Sequence, residues 1–349
     1  MDGALGLCLV GNARADESEY RRNLNVRSLQ SVLDDRAVPL LEAVSPKEGR
    51  AGVQRDVLAE LARSPERRVK VDEIGQTRES RNGSFVRGKD ESWYFEVLGD
   101  GSRFRYRGNI DDPKERDATA KLPKLDNATL EKLGAGFIHG TLGSVLAISR
   151  DDRMVFLGSR YLREGDAEVP AEGAAAPKLT SLTREVVANI AVFGREVRGT
   201  YVAGPGSKVA VWLSNAGEVV GFDVDWPSYR VLETTQPTLG RDDTWQRFAR
   251  YADAAQKQIE SNLQRFECGY IDLSGRKRGA APLQAGCAAQ HAGFLQDDLE
   301  YASIELIPVG KEIVADPSWP VTRAILAGVP LSDCDRSRQS CSELPSVRE

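Results

Sequence analysis

The alternation of apolar and polar residues predicts short antiparallel strands, and part of this pattern occurs twice. Segments 83–88 and 199–204 match without a gap at an offset of 116 residues. An apolar run and a glycine-containing turn, at Gly101 and Gly217, follow each segment. Glycine accepts the positive φ that tight hairpin turns need, so each copy predicts a β-hairpin. We interpret the match as a duplicated antiparallel β unit, with a chance match as the alternative.

Three other stretches have the three- and four-residue spacing of amphipathic helices. The first, at 53–61, ends before Pro65, and the second begins at a capping residue, Asp126. The longest pattern predicts a helix over residues 243–266. The predicted fold class is therefore α+β: two related antiparallel β-rich units, each packed with helices, plus a disulfide-stabilised C-terminal segment.

A stretch rich in proline, alanine and glycine separates the two copies and is typical of a linker. We place the domain boundary there. The predicted organisation is a signal-peptide remnant at 1–15, a first α+β unit at 16–164, a linker at 165–180, a second α+β unit at 181–331 that contains the long helix, and a polar tail at 332–349.

The composition is that of an ordinary globular protein and excludes several classes of function. The chain has 349 residues, 28% of them charged, and a net charge of −5, which provides no global field for holding nucleic acid. No apolar stretch approaches the roughly 18 residues that span a bilayer. With 2 histidines there is little material for a histidine-rich metal site, so neither a metal nor another cofactor is predicted.

The N-terminus is similar to the back half of a secretory signal. Residues 4–10 form an apolar run, and Ala13 and Ala15 have the small-x-small spacing that signal peptidase recognises. A positively charged front half is missing, so a frayed N-terminal strand is the alternative. The pattern predicts a secreted or periplasmic protein.

Four cysteines remain after the signal segment, all in the last quarter of the chain. An even number in an exported protein favours two disulfides over free thiols. Of the three connectivities we predict nearest-neighbour pairing, Cys268 with Cys287 and Cys334 with Cys341. As an alternative, Cys287 and His291 could supply half of a zinc site, but no second close pair completes it.

Three arginines are the candidate ligand-binding residues. Arg103, Arg105 and Arg107 alternate with aromatic residues, so on a strand they share one face. Guanidinium groups bind carboxylates, phosphates and sulfates through paired, charged hydrogen bonds. Trp226, which precedes a proline, is a candidate aromatic platform for a sugar or peptide. The alternative interpretation is an ordinary solvated sheet face.

Candidate catalytic residues come from two places. Asp223 and Asp225 are two apart on a predicted strand, close enough to share a proton as acid–base carboxylates do. His139 lies in a glycine-rich segment and is a candidate general base. A solvated sheet face and a structural histidine are the respective alternatives. No nucleotide-binding or hydrolase motif is present.

The segment from Lys208 to Trp226, KVAVWLSNAGEVVGFDVDW, resembles the hairpin of PepSY-type modules of exported bacterial proteins. The resemblance implies a helix packed on a small antiparallel sheet. It also implies an extracytoplasmic binding or protease-inhibitory module.

These patterns predict an exported binding protein that holds a peptide, glycan or small anionic ligand on a sheet face or in the crevice between the two units. One alternative is a metal-independent extracytoplasmic hydrolase, lyase or isomerase that transfers protons with carboxylates or histidine. A second is a structural assembly subunit. Neither nucleic acid nor a membrane span is expected, and the sequence leaves the oligomeric state open.

Overall fold

The computed structural model describes residues 37–64, 71, 73–108, 122–146, 148–164, 185–240, 243–244, 247, 261–273, 282–294 and 300–312. Its strands are β1 (Ala37–Val44), β2 (Ile74–Ser80), β3 (Gly83–Gly88), β4 (Trp93–Leu98), β5 (Arg103–Gly108), β6 (Asp152–Glu164), β7 (Glu185–Val197), β8 (Thr200–Ala203), β9 (Lys208–Leu213), β10 (Val219–Asp225), β11 (Ser228–Pro237), β12 (Ser261–Ile271), β13 (Ala285–Phe294) and β14 (Glu300–Pro308). The helices are α1 (Gly49–Arg63), α2 (Asn127–Phe137) and α3 (Gly143–Leu146), with a π-helical turn at Ile138–Leu142.

Most of the strands belong to one long sheet. Its order is β14-β13-β12-β8-β7-β9-β10-β5-β4-β3-β2, and β6 pairs with the free side of β7. Strands β1 and β11 form a separate two-stranded ribbon. The pairings are antiparallel except for β8 with β12. Within the described ranges, no helix combines the length and apolar character needed to cross a bilayer.

The prediction of an α+β fold is wrong, because the described residues are mostly β-strand. Helices α1 and α2 and the π-helical turn share one hydrophobic core over one face of a continuous sheet. The hydroxyl oxygen of Ser64, at the end of α1, also lies 3.3 Å from the hydroxyl oxygen of Thr141 in the π-helical turn. The physical reason is that β5 of the first repeat copy hydrogen-bonds to β10 of the second. This pairing joins the two expected sheets into one.

The helix predicted over 243–266 is also wrong at its C-terminal end. Residues 261–266 belong to β12, which pairs with β13 along its length. Apolar residues continue at Phe266, Cys268 and Tyr270, a period of two that suits a strand. Residues 243, 244 and 247 are helical, and the others before 261 lie outside the described residues. The segment fits both the helical spacing and the alternation of a strand, and its hydrogen bonds to β13 make it a strand.

The centre of the larger core lies under the helices. Phe95, Tyr106, Phe222 and Val211 are lateral neighbours on β4, β5, β10 and β9, and all are fully buried. The ring of Phe137, at the end of α2, packs 5.6 Å from that of Phe222, measured between centroids. Because side chains alternate along a strand, the residues next to these four point to the opposite face, away from the helices.

A local two-fold axis relates two hairpins of the sheet. Tyr106 and Phe222 lie directly opposite each other on β5 and β10 and are separated by the 116 residues of the sequence repeat. The hairpins β4–β5 and β9–β10 also share an internal register, with Phe95 opposite Tyr106 and Val211 opposite Phe222. The preceding strands do not correspond, since β3 lies between β2 and β4 whereas β8 pairs with β12.

A second core holds the C-terminal strands against the ribbon and contains a disulfide. Cys268 and Cys287 are directly opposite on β12 and β13, fully buried and bonded to each other, so this predicted pairing is confirmed. The second predicted disulfide, Cys334 with Cys341, lies outside the described residues. So do the signal segment at 1–15, the linker at 165–180 and the tail at 332–349.

Asp126 caps α2 as predicted and gives a test of this helix. Its Oδ1 accepts a hydrogen bond from the main-chain N–H of Thr129 at 2.7 Å, and this bond lowers the pKa of Asp126 below its ordinary value. A carboxyl with a lowered folded-state pKa stabilises the fold above its unfolded pKa and loses that contribution as pH falls through the folded value.

We therefore expect Asp126→Ala to lower the melting temperature at neutral pH and to have less effect well below pH ~3.9, the ordinary aspartate pKa. Thermal unfolding at both pH values measures this. Asp126→Asn is the control, because asparagine caps without a charge and should lose little stability at either pH. An equal loss from Asp126→Ala at both pH values would contradict a charge-dependent cap.

Candidate functional site

The face of the sheet that points away from the helices carries the charged residues of β5 and β10. The aromatic residues of β5 are buried in the core, so alternation places the three arginines outside, as predicted. Asp223 and Asp225 lie on the same face of β10. Asp223 is directly opposite Arg105, and Asp225 is opposite Arg103. The structure thus brings the two predicted groups of charged residues together on neighbouring strands.

Arg107 is fully engaged within the protein. Its Nη2 donates to Asp223 Oδ2 at 2.6 Å, and its Nη1 donates to the carbonyls of Tyr106 and Phe222, each at 2.9 Å. The guanidinium carbon lies 4.2 Å above the ring centroid of Trp212. Trp212 Nε1 donates to the same Asp223 oxygen at 2.8 Å. Arg107 therefore joins β5, β10 and β9, and its side chain is only 15% exposed.

Gly221 makes room for this arrangement and breaks the two-fold symmetry. A Cβ at Gly221 would lie 2.9 Å from the Tyr106 carbonyl oxygen and 3.1 Å from Arg107 Cδ. Arg107 and Asp223 occupy equivalent positions, 116 residues apart, and Gly221 is equivalent to Arg105. One side of the axis is consequently covered by the Arg107 side chain, and the other side is open.

A groove of about 220 Å³ occupies the open side. Its floor includes Ala210, the small residue of β9 that lies opposite Asp223. Strands β5, β9 and β10, the end of β4 and the loop before β9 contribute its walls. The lining residues are Leu98, Arg103, Phe104, Arg105, Pro205, Lys208, Ala210, Asp223, Val224 and Asp225.

The cations of the groove differ in how firmly they are held. Arg105 Nη2 lies 2.5 Å from a carboxylate oxygen of Glu96. Lys208 Nζ donates to two main-chain carbonyls at 2.9 and 3.2 Å. Arg103 Nε lies 3.7 Å from Asp225 Oδ2, an ion pair too long for a hydrogen bond. Among the described residues the Arg103 side chain donates no hydrogen bond, so its guanidinium has donors to offer.

A buried carboxylate fixes the loop that forms one wall of the groove. Asp272 is fully buried, and its Oδ2 accepts from Tyr229 Oη at 2.7 Å and from Ser207 Oγ at 3.0 Å. A Cβ at Gly206 would lie 2.2 Å from Asp272 Cγ, so only glycine fits there without displacement. These contacts place Pro205 at the groove.

The predicted catalytic residues are not assembled into one site. Asp223 is bonded to Arg107 and Asp225 pairs with Arg103, so each carboxylate has its own cation. His139 is exposed on the π-helical turn, on the helix side of the sheet. The sheet therefore separates His139 from the two carboxylates. No group of three or more histidine, cysteine and acidic residues is placed to hold a metal in the part of the chain described.

Trp226, the predicted aromatic platform, does not line the groove. It is 95% buried in the larger core, where its ring lies 4.7 Å from the guanidinium of Arg195. Sequence reasoning also missed Glu96, Lys208 and Trp212. Their positions follow from cross-strand register, for which the sequence offered only the short repeat as a signal.

No protein-family model and no curated protein matches the chain. It is similar to the crystal structure of an uncharacterized protein from Eubacterium rectale, with a TM-score of 0.49 and 9% sequence identity, over 80% of this chain and 87% of that one. This degree of similarity supports no functional argument. The resemblance to PepSY-type modules stays a prediction, because these comparisons do not test it.

Proposed function

We propose that this chain is a binding protein that holds a glycan, peptide or small anionic ligand in the groove over the β5–β10 pair. The observation that carries the proposal is the convergence of Arg103, Arg105, Asp223 and Asp225 on one concave surface. A concave site with a few oriented polar groups is the usual form of a small-ligand site.

The charge balance favours recognition of a single negative group. Among the described residues, the groove lining and its ion-pair partners comprise four cations (three arginines and Lys208) and three carboxylates (Glu96, Asp223 and Asp225). Within this set one positive charge is in excess. A single carboxylate would neutralise it, whereas a polyanion would meet three repelling carboxylates.

The arrangement supports binding over proton-transfer catalysis. General acid–base pairs need two groups whose surroundings separate their pKa values, with a reacting atom between them. Here Asp223 and Asp225 are each paired with a different arginine, and His139 lies on the other side of the sheet. Carboxylates held in this way are suited to accepting hydrogen bonds from a ligand.

Filling the groove tests the proposal without changing its charges. We expect Ala210→Trp to lower the affinity for a groove ligand at least tenfold, because the new ring occupies the floor. Ligand-observed NMR with a panel of acidic and neutral sugars, peptides and small acids would identify binders to the unmodified protein. Ala210→Val is the control, since valine suits a strand and adds little volume. Binders that Ala210→Trp leaves unaffected would contradict the proposed site.

The Cys268–Cys287 disulfide supports the further proposal that the chain works in an oxidising, extracytoplasmic compartment. Disulfides persist mainly in secreted and periplasmic proteins.

A further inference from the structure

We propose that the ligand of the groove is a sugar acid, a hydroxylated monocarboxylate, with its carboxylate on Arg103 and a hydroxyl on Asp223. This inference rests on the proposed binding function and names the chemical class that the groove recognises. It follows from the two hydrogen-bonding groups that the protein itself leaves available there.

The first available group is the Arg103 guanidinium. The Arg103 side chain is 35% exposed, and its Nε lies 3.7 Å from Asp225 Oδ2. Guanidinium and carboxylate form two parallel hydrogen bonds, which is among the strongest pairings in proteins. The other two arginines of β5 are already bonded, to Glu96 and to Asp223. Of the three arginines of β5, Arg103 is thus the one best able to take a ligand carboxylate.

The second available group is the outer oxygen of Asp223. Arg107 and Trp212 both donate to Oδ2, while Oδ1 has no hydrogen-bond partner among the described residues. The side chain is 40% exposed. Oδ1 therefore accepts from a ligand donor, and the ligand carboxylate already matches the one positive charge in excess among the described groove residues and their ion-pair partners. A neutral hydroxyl group fits this balance better than an ammonium group.

The spacing and volume fit one monosaccharide. Arg103 and Asp223 are diagonal neighbours on adjacent antiparallel strands, a relation that separates Cα atoms by about 7–8 Å. A hexuronic acid carries its carboxylate and its far hydroxyls at opposite ends of one ring. The groove of about 220 Å³ is smaller than the roughly 300–1,000 Å³ of pockets for drug-sized ligands, which limits it to one such ring.

Isothermal titration calorimetry with sodium D-glucuronate tests the inference. We expect binding that is at least tenfold weaker for D-glucose, which lacks the carboxylate, and for hexanoate, which lacks the hydroxyls. Arg103→Gln should weaken glucuronate binding at least tenfold. The matched control is Arg160→Gln, because Arg160 is exposed on β6, outside the groove.

Four outcomes overturn the inference. Equal affinity for glucuronate and hexanoate would remove the role of the hydroxyls, and an equal effect of the two arginine substitutions would remove Arg103. If glucuronate does not bind while an acidic peptide or neutral oligosaccharide binds and is blocked by Ala210→Trp, the sugar-acid class falls and the proposed binding function stands. If Ala210→Trp blocks no binder, both fall.

Discussion

Arg195→Met should lower the free energy of unfolding by about 3–5 kcal/mol, the usual cost of removing one partner of a buried ion pair. Arg195 Nε and Nη2 donate to the two carboxylate oxygens of Asp152 at 3.0 and 2.7 Å, and the two side chains are 2% and 1% exposed. The guanidinium carbon also lies over the rings of Trp226 and Tyr229, 4.7 and 4.5 Å from their centroids. Without Arg195, the Asp152 charge is left buried and unpaired.

Urea unfolding of matched variants measures this effect. Arg153, next to Asp152 on β6, is an exposed ion-pair partner of Glu196. Arg153→Met should therefore lower the free energy of unfolding by less than about 1 kcal/mol. Arg195→Met combined with Asp152→Asn should be more stable than Arg195→Met alone, because the amide keeps the shape without the charge. If the double variant is no more stable, the lost arginine packing and not the unpaired carboxylate dominates.

Arg107→Ala should lower the free energy of unfolding by about 2–3 kcal/mol, while Arg105→Ala should cost less than about 1 kcal/mol. Arg107 donates to two main-chain carbonyls and to Asp223, and it covers Trp212. Without Arg107, the two carbonyls and the Asp223 carboxylate each lose a hydrogen-bond donor, and the ring of Trp212 loses the guanidinium that covers it. Arg105 is 44% exposed and pairs with Glu96 at the rim of the groove.

The two arginines form a matched pair of substitutions because they are two residues apart on one strand. Chemical denaturation of both variants gives the difference directly. If Arg105→Ala lowers the free energy of unfolding as much as Arg107→Ala does, both arginines have a structural role. Arg103 would then be the one arginine of β5 without such a role.

The three arginines show how far sequence reasoning about the site could go. Period two established that Arg103, Arg105 and Arg107 share a face, because alternation is a property of any strand. It could not separate them by role. The separation comes from their cross-strand neighbours: Gly221 lets Arg107 lie flat, Glu96 holds Arg105, and the nearest carboxylate to Arg103 is too distant for a hydrogen bond.

Local signals predicted the elements that local interactions stabilise. The cap at Asp126 and the apolar spacing from Val53 to Leu61 specify α2 and α1 within a few residues. The turns at Gly101 and Gly217 have the positive φ values expected, 104° and 83°. Residues 261–266 were misjudged because the choice between helix and strand there depends on pairing with β13, which is distant in sequence.

The sequence by itself determined the hairpins, the face on which the charged residues lie and one disulfide pairing, since these depend on residues close together in the chain or on simple periodicity. Only the tertiary structure decided that β5 and β10 pair across a local two-fold axis, that the halves share one core, and that a groove opens on one side of the axis. Register between distant strands sets all three, because a strand's neighbours are chosen by the packing of the whole sheet and not by its own sequence.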